Sequence, residues 1–268
     1  MAYDHSRKIG NEGDVAKHAV LHNCVEHLLG RLSLQGVFVY GDSHSGRPVY
    51  VLPECEEWPT GIQAVSLLTK STLEGHPRID SYRQALIPDK RQAGQTYFGS
   101  SGVVFRCVRQ QGKACRFHLF ELDPHAHDDL VRYFFPWRDV VGVTQGDGYR
   151  GVMGLEAASL VLVDPPGSEY EPVAECLETL HNRSISFLCW TPRNPSSVGV
   201  RQESGKGLRF REECVVARHF PVRWSEPTGH SRNTFGCCLS VSRDLENIAD
   251  ETIASLVTLL ADKGWSRE

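Results

Sequence analysis

The 268-residue sequence predicts an α/β fold: a doubly wound, Rossmann-like sheet with helices on both faces and a small helical insertion after the first strand. Three observations carry this. Short apolar runs without alternation, closing on acidic, Gly or Pro residues, suit strands covered on both faces. Stretches with apolar residues at helical spacing separate several of these runs. In dinucleotide-binding folds an acidic residue holding a ribose lies about 20 residues beyond the first turn. If Glu121 has that place, its distance from Asp42 is several times too long, and an insertion must lie between the first two strands.

In chain order, "GDVAKHAVLHNCVEHLLGRL" sets Val15, Ala19, Leu21, Val25, Leu28 and Leu29 at roughly helical spacing, with Gly30 near its end. "GVFVYGD" (36–42) is the first strand. Residues 50–97 are the expected insertion, helix-like near "GIQAVSLLTKSTLEG" and "RIDSYRQALI". The strands resume with "FHLFELD" (117–123), "VVGVTQGDG" (140–148), "LVLVDPP" (160–166) and "SISFLCW" (184–190). The helices "HAHDDLVRYFF" and "YEPVAECLETLHN" stand between them. A run within "VVARHFPVRW" (215–224) and "FGCCLSV" (235–241) complete the strands, and "DLENIADETIASLVTLLADKG" is a last helix. "TPRNPSSVGVRQESGKG" (191–207) reads as a loop. The expected division is 1–49 for an N-terminal arm, helix and first strand, 50–97 for the insertion, and 98–268 for the rest of the main domain.

Composition narrows the setting. There is no long apolar span and no basic-then-apolar leader, so neither membrane insertion nor secretion is expected. The nine cysteines include no C-x-x-C pair and lie mostly in apolar runs, so a reduced, cytoplasmic setting without a metal site is expected. A net charge of −4 gives no global reason to bind nucleic acid, but residues 181–232 hold nine Lys/Arg against four Asp/Glu. That is either a phosphate-facing surface or a solvated loop region.

The candidate chemistry sits at strand ends. In the first turn, "YGDSHSGRPVY", only Gly46 lets the backbone approach a ligand closely, and Pro48 removes an N–H. Glu121 can accept two ribose hydroxyls, and Asp147 in "QGDGY" can accept from an adenine amine; an exposed acid and an Asp-Gly turn are the plain alternatives. Asp164 is sharper. A carboxylate at the end of a buried strand, followed by Pro165 and Pro166, has its direction fixed by the prolines' restricted dihedrals. An exocyclic amine on a base is a poor nucleophile because its lone pair is delocalised. Accepting its hydrogens at Asp164 Oδ and the Pro165 carbonyl favours a pyramidal nitrogen able to attack a sulfonium methyl in line. At the start of the chain, "YDHSRKIGNEGDVAKH" (3–18) gathers Tyr3 as a stacking ring and His5, Lys17 and His18 as donors to an anionic group. A polar arm ahead of a half-exposed helix explains the same spacing.

This segment resembles the RlmJ-type 23S ribosomal RNA adenine-N6 methyltransferases, whose signature reads Y-x-H-S, then G-N-x-x-D-V-x-K-H. Tyr3, His5, Ser6, Gly10, Asn11, Asp14, Val15, Lys17 and His18 stand in register. The later motifs follow in the same order as Asp42-Ser43-His44-Ser45-Gly46, Tyr97-Phe98-Gly99-Ser100, Glu121-Leu122-Asp123-Pro124, Asp147-Gly148 and Asp164-Pro165-Pro166. The resemblance implies a class I methyltransferase with a small helical insert, using S-adenosyl-L-methionine, with ribosomal RNA as substrate and no membrane or metal partner. It implies cofactor contacts at His18, His44, Ser100, Glu121, Asp147, Gly148 and Asp164. It makes Asp164 the catalytic acceptor with Lys17 beside it and sets Tyr3 toward the RNA; with Pro165 as the second acceptor and His5 and Tyr170 as further substrate contacts, this is the expected site. A monomer is expected.

The match has three departures. Gly167 replaces the aromatic residue that stacks on the extruded adenine in DPPY-type enzymes, so Tyr170, Trp190 or Tyr3 would have to substitute. The first-strand Gly-x-Gly is reduced to "SGRPVY", and beyond residue 170 the similarity fades. A different acceptor (small molecule, other nucleic acid or protein) is therefore the first alternative. A silent relative that binds RNA through 181–232 is the second.

Overall fold

The computed structural model describes residues 9–51, 61–86, 96–166, 170–193, 222–224, 235–261 and 265–267. Its centre is an eight-stranded sheet. The parallel part consists of β1 (Val37–Asp42), β4 (Ala114–Glu121), β5 (Val141–Gln145), β6 (Leu160–Val163) and β7 (Phe187–Arg193). Three antiparallel strands extend it beyond β7: β9 (Phe235–Val241), β8 (Val222–Trp224) and β10 (Trp265–Arg267). The spatial order is β10-β8-β9-β7-β6-β1-β4-β5, so β1 lies between β4 and β6. From β1 the chain runs outward through β4 and β5 and then returns to β6. That reversal beside β1 is where ligands bind in doubly wound sheets.

Residues alternate across the sheet as the pleat requires. On β6, Leu160 and Leu162 join the larger core while Val161 and Val163 join a second one; on β7, Leu188 and Trp190 go with the former, Phe187 and Cys189 with the latter. The larger core is covered by α1 (Glu12–Arg31), α4 (Ser100–Gln110), α5 (Pro124–Phe134) and α8 (Glu246–Leu260). The second is covered by α6 (Gly148–Met153) and α7 (Tyr170–Asn182), whose Val173, Cys176, Leu177 and Leu180 repeat at helical spacing. Both faces are thus filled, which is why the central strands read as continuous apolar runs.

α1 is no half-exposed helix. Every residue from Glu12 to Val25 is buried, because α4, α8 and α3 (Pro77–Leu86) pack around it. Asn11 caps it by accepting the Asp14 N–H at 3.0 Å. Between β1 and β4 lie β2 (Val49–Val51), α2 (Ile62–Ser66), α3 and β3 (Thr96–Phe98), with β2 and β3 paired antiparallel. The stretch at 61–75 is helical only over α2. Thr69 Oγ1 bonds Ser71 Oγ and Thr72 Oγ1, both at 2.8 Å, and accepts the Thr72 N–H, so side chains there compete with a helical ladder. α4 carries no helical signal in the expectations above. It starts at Gly99, where a Cβ would lie 2.2 Å from the Arg47 carbonyl oxygen, so only glycine lets the helix start against the β1 loop.

Candidate active site

The register sets the acidic strand ends in one row. Asp42 at the end of β1 pairs with Leu119 of β4 and Leu162 of β6, so Glu121 and Asp164 each lie two residues further along their strands, one on either side of the β1 loop. Glu121 in turn pairs with Gln145, two residues before Asp147. Adjacent strands are about 4.8 Å apart, so Asp164, the 43–46 loop, Glu121 and Asp147 span the carboxyl edge of four neighbouring strands.

The loop bonds to both neighbours: the Ser43 N–H to the Leu162 carbonyl and the Ser45 N–H to the Phe120 carbonyl, both at 3.0 Å. Gly46 adopts φ +57°, the left-handed region that glycine enters without strain, and its N–H reaches Glu121 Oε2 at 2.7 Å. Glu121 Oε1 accepts the Asp123 N–H at 2.8 Å. Each carboxylate oxygen retains acceptor capacity. Ser43 Oγ bonds His44 Nδ1 at 2.7 Å, and the His44 ring meets Tyr149 edge-on at 4.9 Å. Asp147 caps α6, accepting the Arg150 N–H at 3.2 Å. At Gly148 a Cβ would fall 1.6 Å from the Ser43 carbonyl oxygen, so the N-terminus of α6 and the β1 loop touch backbone to backbone.

Below this edge lies a buried ionic centre. Lys17 Nζ donates to Asp164 Oδ2 at 2.7 Å and pairs with Asp14 Oδ1 at 3.0 Å; Asp14 Oδ2 accepts the Gly10 N–H at 2.8 Å. Burial works against the ammonium, but Asp164 and Asp14 outweigh it and hold Lys17 above its ordinary value. Lys17 is therefore a fixed cation. Asp42, also buried, accepts from Tyr40 Oη (2.9 Å), Ser100 Oγ (2.8 Å) and the His44 N–H (3.3 Å). Desolvation pushes the Asp42 carboxyl up to about 7, against these hydrogen bonds and with the help of the Asp164 charge. His18 Nδ1 bonds Tyr97 Oη, which lies 3.4 Å from Tyr82 Oη.

The structure thus brings Lys17 into contact with Asp164, and ties Ser100 and His44 to one carboxylate, Asp42. Glu121, Asp147 and Gly148 fall along the same edge, and Pro165 is buried directly after Asp164. His18 faces the Tyr97–Tyr82 pair. Tyr3, His5 and Gly167 lie outside the described residues, as does most of 181–232; Tyr170 begins α7, and its side chain is also outside them. Trp190 is excluded as a base-stacking ring, being 5% exposed and packed in the larger core. Asp14 and Asp42, motif members with no role assigned from sequence, are functional residues of this centre. Asp14 sits three residues before Lys17, a spacing that pairs charges on a helix. For Asp42 no sequence signal reports burial.

The edge fits an adenosine-type sulfonium cofactor. Its acceptors stand in adjacent strands, where ribose hydroxyls and an adenine amine can be met together, and glycines at 46 and 148 keep the loop and helix backbones close. The fold and this site define a Rossmann-like class I methyltransferase. No family model matches the chain. It is 28% identical over 230 residues to ribosomal RNA large subunit methyltransferase J of Haemophilus influenzae, covering 81% of this chain and 78% of that protein. Against the Escherichia coli protein of the same name it is 22% identical over 228 residues, with the same coverage. A crystal structure from Legionella pneumophila, labelled with the family model DUF519, superposes with a TM-score of 0.73 at 20% identity over 97% of both chains. The chain is similar to these RlmJ-type proteins, and it is a methyltransferase with S-adenosylmethionine as its methyl donor.

Proposed function

We propose that the protein methylates adenine N6 in ribosomal RNA of the large subunit. The single observation that carries this is the Lys17–Asp164 contact of 2.7 Å, which joins the N-terminal signature to the DPP corner across 147 residues of chain. The names of the Haemophilus and Escherichia relatives, ribosomal RNA large subunit methyltransferases, support the substrate class.

In this reading Glu121 holds the ribose, Asp147 and Gly148 the adenine end, and His18, His44 and Ser100 the remainder of the cofactor. When bound, the cofactor supplies an electrophilic methyl on sulfur. Lys17 occupies Asp164 Oδ2 and, as a fixed cation, positions the carboxylate rather than acting as a base. Asp164 Oδ1 and the Pro165 carbonyl accept the two hydrogens of the target amine, and Asp164 takes the proton shed as the new C–N bond forms. Tyr3, His5 and Tyr170 meet the RNA. The protein works as a cytoplasmic monomer.

The test is transfer of tritiated methyl to unmodified large-subunit RNA, followed by nucleoside analysis. The expectation is N6-methyladenosine in wild type and a fall of roughly 10²–10⁴-fold in Asp164→Asn. RNA that stays at background with a folded, cofactor-binding protein refutes the substrate. One observation favours a second reading: with Gly167 at the stacking position and Trp190 buried in the core, two of the positions that could carry a ring against the base carry none. Label recovered in protein or small molecules instead of RNA would select that acceptor class.

A further inference from the structure

The polar groups of the methyltransfer edge leave one cluster unused. One turn beyond His18 on α1, His22 and Glu26 share a helix face, and Cys107 of α4 packs opposite them. The His22, Glu26 and Cys107 donor atoms all lie within 4.8 Å of one another. The geometry points to a divalent transition-metal site of the Zn²⁺ type, built from His22 Nδ1, Glu26 Oε and Cys107 Sγ, between α1 and α4.

Three features carry this. His22 is 1% exposed, and its Nδ1 finds no hydrogen-bond partner among the described residues; Glu26 Oε2 stands 3.7 Å away. A buried ring nitrogen left so is destabilising, and an ion would remove that cost. Next, the ligand chemistry fits. One imidazole, one carboxylate and one thiolate suit Zn²⁺, whose bonds of about 2.0–2.3 Å in a tetrahedron set donors roughly 3.3–3.6 Å apart. The cluster therefore closes on an ion with side-chain shifts of an ångström or so. Finally, the carboxylate is already oriented from behind: Ser81 Oγ of α3 lies 3.0 Å from Glu26 Oε1 and 2.9 Å from Oε2. Such outer partners are how metal carboxylates are held. Glu26, 36% exposed at its side chain, leaves the fourth position reachable by water.

Binding requires Cys107 as thiolate, with its proton released to solvent. Because the ligands sit on α1 and α4, the ion would clamp the helix that carries Lys17 to the one that begins with Ser100. No local spacing announces this site, since Cys107 is 81 residues from Glu26 in the chain.

The experiment is titration of metal-free protein with Co²⁺, whose thiolate charge-transfer band in the near-ultraviolet reports Cys coordination, together with Zn²⁺ competition. One equivalent is expected, displaced by Zn²⁺, with the charge-transfer band lost in Cys107→Ser. Ser81→Ala, which leaves the three ligands in place, should weaken binding about 10–100-fold. Wild type that is folded by circular dichroism yet binds no stoichiometric Co²⁺ overturns the proposal. So does a band that survives Cys107→Ser, which would locate the metal at another of the chain's cysteines. Glu26→Gln, at a partly exposed position, checks the site should Cys107→Ser fail to fold; unchanged affinity there also overturns it.

Discussion

Replacing Lys17 by Met isolates the ionic centre. The substitution keeps the volume and removes the ammonium that bridges Asp14 and Asp164. Asp14 is 3% exposed and retains the Gly10 N–H, while the Asp164 side chain is 19% exposed and loses the partner at 2.7 Å. Removing one member of a buried pair typically costs about 3–5 kcal/mol, because the remaining charge is stranded. For a chain of this size that lowers the melting temperature by on the order of 10 °C. The pH dependence follows from the raised Lys17 pKa. Its contribution is complete below the ordinary lysine value of about 10.4 and is lost only as pH climbs through the higher folded value. The gap between wild type and Lys17→Met should therefore be constant from pH 7 to about 9 and shrink only in strong alkali. Urea unfolding across this range measures it. Methyl transfer should fall together with stability, and adding Asp14→Asn should recover part of the stability but none of the activity. A Lys17→Met protein within about 1 kcal/mol of wild type at pH 8 would refute the stranded-charge reasoning.

Asp42 gives the opposite pH signature. Its folded carboxyl, pushed up to about 7, binds a proton that the unfolded chain releases near 4, so stability should decline as pH rises from about 4 to 7 and then level off. Asp42→Asn should flatten that decline in urea melts; an unchanged slope would assign it to other groups. Gly148→Ala drives a Cβ to 1.6 Å from the Ser43 carbonyl oxygen and must part α6 from the β1 loop. A stability loss of about 1–3 kcal/mol and weaker cofactor binding by calorimetry are expected, whereas wild-type affinity would show that this close approach is not needed for the cofactor.

β6 was legible because it is buried on both faces, and a doubly covered strand writes itself as an apolar run. "LVLV" before Asp164 is that run, buried at every residue. α7 was legible for the related reason that one stripe packs on the sheet. α4 was not: Gly99 and Gly102 at its start serve close backbone approach to Arg47 and Pro48, which no periodicity encodes. Of the two helix-like stretches between the first strands, "RIDSYRQALI" lies in α3, whereas side-chain bonds around Thr69, local chemistry hidden inside a helix-like pattern, interrupt the other beyond α2.

By itself the sequence determined the order of the main sheet strands and of α1, α5, α7 and α8, the acidic strand ends and the pairing of an N-terminal signature with a DPP corner. Those are properties of segments, set by burial periodicity and short-range dihedral limits. Only the tertiary structure decided that Lys17 is a fixed cation bound to Asp164, that Asp42 is a buried carboxyl shared by Tyr40, Ser100 and His44, and that His22, Glu26 and Cys107 converge. The physical reason is that charge state and ligand geometry depend on which distant groups exclude water around an atom, and that is fixed when α1 is buried against α4 and the sheet.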